Sequence, residues 1–190
     1  MEQTTFLDVL TSLQRLFVGY IPAAIAGSFI GYIISVNNAV YQLMRRIFQI
    51  PNSIPPIALL PIMLLVFQEN ESAVTSVIFI ASLWSMIINI AIGMQHFRRQ
   101  NNNFRAAIFH TFHALKVSIW VAWFTVIAIE MLLGSKGLGA FLWNSYKSGN
   151  SSYIIEGLLY IGIIGLLLDQ FLDYTGYLLA QMVSDGKKSS

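Results

Sequence analysis

Three long stretches of this chain carry no charge, and they constrain it more than any other feature. No Asp, Glu, Lys or Arg occurs in residues 16–44, 47–68 or 72–97. Each stretch is long enough for the ~20 residues that a helix needs to cross the hydrocarbon core of a bilayer. A soluble domain has about 25% charged residues, whereas this 190-residue chain has 11%, with 56% hydrophobic residues. The expectation is an all-α integral membrane protein forming one membrane domain over 1–190, with about five transmembrane helices. The spans fall at about 16–36, 54–67, 73–94, 117–134 and 153–168, the last with an amphipathic continuation to Met182. Residues 1–15 place Phe6, Val9, Leu10 and Leu13 at helical spacing, which reads as an interfacial lead-in helix and not as a secretory signal.

Within the first span, Gly19, Ala23, Gly27 and Gly31 recur every fourth residue. Small residues on one face let a second helix approach closely, and in lipid packing rather than hydrophobicity drives association. Glycine is also common in membrane helices generally, so the spacing points to a packing face without naming its partner. Residues 36–53 read as a polar connection carrying Arg45 and Arg46. The span at 54–67 holds Pro55, Pro56 and Pro61, each of which removes a backbone donor, so it is expected to be kinked or broken. An acidic turn occupies 68–72, and Asn89 is the internal polar residue of the third span. A basic segment then covers 96–116, and residues 135–152, rich in Gly and Ser, read as re-entrant or interfacial.

Basic residues beside the spans set orientation. Arg45, Arg46, Arg98, Arg99, Arg105, Lys116, Lys187 and Lys188 fall on one side, against Arg15, Lys136 and Lys147 on the other. The segment 96–116 and the C-terminus are therefore expected in the cytoplasm and the N-terminus outside. The net charge of +2 gives no footprint for nucleic acid, and the absence of cysteine excludes disulfides and thiolate metal sites.

No nucleophile–base arrangement is present, so no catalytic residue is assigned and no enzyme is expected. His110 and His113 share a helix face but have no carboxylate or thiolate with them, which favours ordinary histidines over a metal site. No cofactor or metal is expected. There is no Gly-rich loop ending in Lys-Ser/Thr, so any energy source sits on another subunit. Glu130 is the sharpest single residue. A carboxylate inside an apolar span is functional by default, while the nearby Lys136 equally suits a hydrated interfacial position. Gly134, Gly137 and Gly139 follow it and allow a tight turn whose N–H groups could face an anion or a helix end.

These residues resemble a known family. Residues 12–35, 54–84, 121–146 and 158–169 are similar to successive segments of the transmembrane permease subunits of ABC importers of the nitrate/bicarbonate type, within the nitrate/sulfonate/taurine group. Ile129-Glu130 stands where that family has Ala-Glu before its glycine loop. The resemblance implies a type I importer permease fold in a multi-pass inner (plasma) or thylakoid membrane protein. It also implies cytoplasmic ATPase subunits, an external substrate-binding protein or domain, and a homodimer or larger membrane complex. A coupling segment would involve Arg98, Arg99, Phe104, Arg105, Ala106 and Ala107, and a pathway or gate Asn89, Glu130, Gly134, Gly137 and Gly139. Two departures stand out: part of the family's coupling loop, and a span ahead of Ser12, have no counterpart here. Two functions follow: an ATP-driven importer subunit for a small inorganic anion, or a permease-derived structural or assembly subunit that does not transport.

Overall fold

A computed structural model describes residues 2–99 and 104–186. Among these residues the chain is helical throughout, in the order α1 (Glu2–Val36), α2 (Asn38–Asn52), a 3-10 turn (Pro56–Leu59), α3 (Leu60–Phe67), α4 (Asn70–Arg99), α5 (Phe104–Leu133), α6 (Leu138–Lys147) and α7 (Ser151–Gly186). Four helices are long and apolar enough to cross a membrane: α1, α4, α5 and α7. The fifth expected span, 54–67, is not a span by itself. Pro56 opens the 3-10 turn and α3 has only eight residues, about 12 Å of rise against a core of about 30 Å.

The remainder of that crossing comes from the segment expected to be a polar connection. Asn37 caps the next helix by accepting from the Ala39 N–H at 2.8 Å. The α2 helix then runs back along α4, where Phe48 meets Trp84 with ring centroids 5.2 Å apart. Tyr41, Met44 and Phe48 pack with Ile87, Ala91 and Ile92. Thus α2, the proline turn and α3 together return the chain from one end of the bundle to the other.

Two further boundaries differ from the expectation. The lead-in and the first span are one continuous helix, because Ser12 and Leu16 are both fully buried and the same face continues through the junction. The basic segment 96–116 is mostly helix: α4 runs to Arg99 and α5 begins at Phe104. The three asparagines at 101–103, poor helix formers, lie outside the described residues.

The core is the α1–α4–α5 packing. The stripe of small residues faces α4 of the same chain: a Cβ on Gly19 would come within 2.6 Å of Ile78, on Gly27 within 2.7 Å of Met86, and on Gly31 within 2.8 Å of the Ile87 carbonyl. Ala23 lies fully buried between them. Inter-helix bonds add to this, from Tyr20 Oη to the Leu115 carbonyl at 2.8 Å and from Ser118 Oγ to the Ser82 carbonyl at 2.9 Å. Gly27→Leu is expected to lower the stability of the single chain by about 1–3 kcal/mol, since added volume cannot be absorbed at such a crossing. An unchanged thermal midpoint in mild detergent would rule this packing out.

α7 is largely exposed along its apolar length, as suits a lipid-facing helix, and polar contacts fasten it to α5. Lys116 Nζ lies 3.0 Å from Asp169 and 2.5 Å from Asp173, and Trp120 Nε1 donates to Asp169 at 2.9 Å. Asp169 and Asp173 are thus on α7 itself and fix its rotation against α5.

Candidate functional site

The polar groups of the chain concentrate at the bundle end where α1 and α5 meet α6. Asp8, Ser12 and Arg15 share one face of α1 because they are four and three residues apart. That face turns towards Glu130, near the end of α5, which is only 1% exposed. Ser12 Oγ lies 2.9 and 2.8 Å from its two carboxylate oxygens. Arg15 Nη1 donates to Glu130 Oε1 at 3.0 Å and to the Lys136 carbonyl at 2.9 Å. The other edge of the guanidinium forks onto Glu71, at the start of α4, with Nε 2.9 Å from Oε2 and Nη2 2.5 Å from Oε1. Arg15 is itself 5% exposed, while the Glu71 side chain is 58% exposed, so the chain of charges runs from the interior to the surface.

The turn after α5 completes the arrangement. Gly134 adopts a left-handed φ of 64° and donates to the Glu130 carbonyl, ending α5. Gly137 has a φ of 100°, a conformation costly for any residue with a Cβ. From there α6 begins, and its first N–H groups are orphans by construction. Three N–H groups at this start find acceptors from other parts of the chain. Gly137 N–H donates to Asp8 at 2.9 Å, Leu138 N–H to Ser12 Oγ at 2.9 Å, and Gly139 N–H to Glu130 Oε2 at 3.0 Å. A carboxylate at a helix N-terminus is favoured by the helix dipole. Two helices, a turn and a buried ion pair are thus one polar unit.

The burial of Glu130 bears on one of its two readings. Glu130 is not a hydrated interfacial residue. Burying a charge is tolerated only when it is paired and its lone pairs are satisfied, and the carboxylate accepts from Ser12, Arg15 and Gly139. The N–H groups expected to face an anion already face Asp8, Ser12 and Glu130. Arg15, Ser12, Asp8 and Glu71 were not singled out in the sequence, although the 8/12/15 spacing at the edge of a long uncharged stretch was a usable signal.

The other expected site residues lie elsewhere. Asn89 is half-buried in α4 and donates to the Ser85 carbonyl one turn back, at 2.8 Å. At the opposite bundle end, Gln95 Nε2 donates to the Ser35 carbonyl at 2.8 Å and Arg98 Nη1 to the Val36 carbonyl at 3.2 Å. Both therefore satisfy the last carbonyls of α1. Ala107 packs against the core of its own chain, and Ala106 lines a cleft with Gly176 and Ala180 of α7, so neither stands out as a free contact face. The side chains of Arg99, Phe104 and Arg105 lie outside the described residues. His96 and His110 stack across α4 and α5 with centroids 6.0 Å apart. Among the described residues no three His, Cys, Asp or Glu side chains group as a metal site.

No family profile matches the chain. Individual curated proteins do. The nitrate import permease protein NrtB of Leptolyngbya laminosa is 36% identical over 204 aligned residues, covering 98% of this chain and 72% of that protein. NrtB of Synechocystis sp. is 36% identical, covering 88% and 67%. The bicarbonate transport system permease protein CmpB of Synechococcus elongatus is 32% identical, covering 90% and 68%.

Proposed function

The chain belongs to the family of ABC importer permeases that includes NrtB and CmpB, and from that premise we propose that it carries a small inorganic oxyanion, nitrate or bicarbonate, across the membrane. It is a multi-pass membrane subunit of an ABC importer. The observation that carries the reading is the similarity to a nitrate permease along 98% of its length and to a bicarbonate permease along 90%. The substrate, the cytoplasmic ATPase subunits, the external binding protein and a homodimeric arrangement form the proposed part.

Within this reading the two bundle ends have different tasks. The end holding Arg98 faces the ATPase, and the inner ends of α4 and α5 pass on its closure. The Glu130 unit locks α1, α4, α5 and α6 together at the outer end, so that a push on one helix moves all four as a body. The alignment with the Leptolyngbya protein, at 204 positions, is longer than this chain. Residues of that relative within the matched region therefore have no counterpart here.

The deciding experiment reconstitutes the chain in proteoliposomes with a nitrate-type ATPase subunit and binding protein. ATP-dependent uptake of labelled nitrate or bicarbonate, with ATPase activity raised by the binding protein, is the expected result. A chain that neither retains the ATPase through purification nor stimulates it is a structural subunit instead.

A further inference from the structure

The arginines of α2 are out of place for a membrane protein, and their depth can be read from the packing. Ser35 and Val36 lie level with Gln95 and Arg98, through the hydrogen bonds at the inner end. Phe48 lies level with Trp84, which is at the middle of the apolar stretch 73–94 of α4. From Gln95 to Trp84 α4 rises about 16 Å, and ten residues of α2 rise about 15 Å, so the two helices run side by side. Arg45 and Arg46 are thus within about 5 Å of axial rise of the bundle's midplane.

Helical spacing divides α2 into three faces. Tyr41, Met44 and Phe48 pack inward on α4. Leu43, Ile47 and Ile50 are exposed and apolar, suited to lipid. Gln42, Arg45 and Arg46 form the third face and are also exposed. Neither arginine has an acidic partner among the described residues, whereas Arg15, at the outer end, has two. A charge at this depth faces the bundle interior or water, not lipid.

We propose that Arg45 and Arg46 line the aqueous path in the inner half of the membrane and bind the transported oxyanion there on its way to the cytoplasm. This rests on the transport reading above. Guanidinium groups suit a planar oxyanion, because their donors form a fork matched to two oxygens. Two fixed positive charges in a low-dielectric wall also raise the local anion concentration. The irregular turn that follows, at 53–55, fits the same picture, since non-helical backbone at membrane depth is tolerated beside a water-filled cavity.

The chain has no cysteine, so single cysteines can be placed without background. In the complex with its ATPase subunits, Arg46→Cys should react with a membrane-impermeant anionic thiol reagent, and nitrate should slow the reaction. Ile47→Cys, on the apolar face, should not react. Arginines that merely reach along the lipid to the inner surface predict no labelling at position 46, because the shorter cysteine stays in lipid; that result overturns the proposal. In uptake assays Arg45→Gln with Arg46→Gln should cut nitrate transport roughly ten-fold, and Lys at both positions, which keeps the charge but not the fork, should restore only part of it. Equal loss in the Lys and Gln variants, with both inserted, would also overturn it. If the native chain takes up no anion, the transport reading fails, and the labelling pattern still decides whether this face is wet.

Discussion

Arg15→Met is expected to cost about 3–5 kcal/mol of stability, the range for removing one partner of a buried ion pair. Glu130 would remain 1% exposed with its charge uncompensated, and Glu71 would lose its tie to α1. For a chain of this size the loss corresponds to a fall in melting midpoint of roughly 6–20 °C. The partner substitution makes the argument specific. Glu130→Gln keeps an acceptor for the Gly139 N–H while removing the charge, so Arg15→Met combined with Glu130→Gln should recover a good part of what Arg15→Met loses. Breaking a buried pair is costlier than neutralising it. Losses that add in the double variant would mean that the two residues are not energetically coupled, against the 3.0 Å contact between them.

Gly139→Ala is expected to be at least as damaging, although it adds a single methyl group. Its Cβ would lie 2.2 Å from the Ile127 carbonyl oxygen and 2.8 Å from Glu130 Cβ. The first of these is backbone inside α5 and has no rotamer by which to withdraw. The start of α6 would have to move off, and with it the N–H groups bonded to Asp8, Ser12 and Glu130. Overpacking costs about 1–3 kcal/mol, and each N–H left unsatisfied in the interior adds about 1–3 kcal/mol. Gly162→Ala is the control, because nothing lies within 4 Å of its added Cβ and it sits in the middle of a helix. It should be neutral or slightly stabilising. Equal behaviour of the two variants in thermal unfolding would remove the basis for the close approach of α6 to α5.

Much of this architecture was legible in the residues alone, for a physical reason. Lipid cannot satisfy a backbone polar group, so a span must be a helix, and its apolarity is a property of each residue. The uncharged stretches therefore announced α1 and α4, and the small residues from Gly19 to Gly31 announced a close crossing. The prolines at 55, 56 and 61 announced that the second crossing would be broken. Glu130 stood out because a lone carboxylate in such a stretch needs a reason.

What only the tertiary structure decided were the partners. The small-residue stripe could not say whether it served a neighbouring chain or α4, since both present the same kind of surface. Helix α2 averages to a polar segment because its Tyr41-Met44-Phe48 face is diluted by Arg45 and Arg46. Its place at membrane depth appears only when Phe48 is seen against Trp84. The role of Glu130 depends on Ser12 and Arg15, 118 and 115 residues away in sequence, and no local pattern encodes that distance. Apolarity is read residue by residue, but the compensation of a buried charge belongs to whichever helices pack around it.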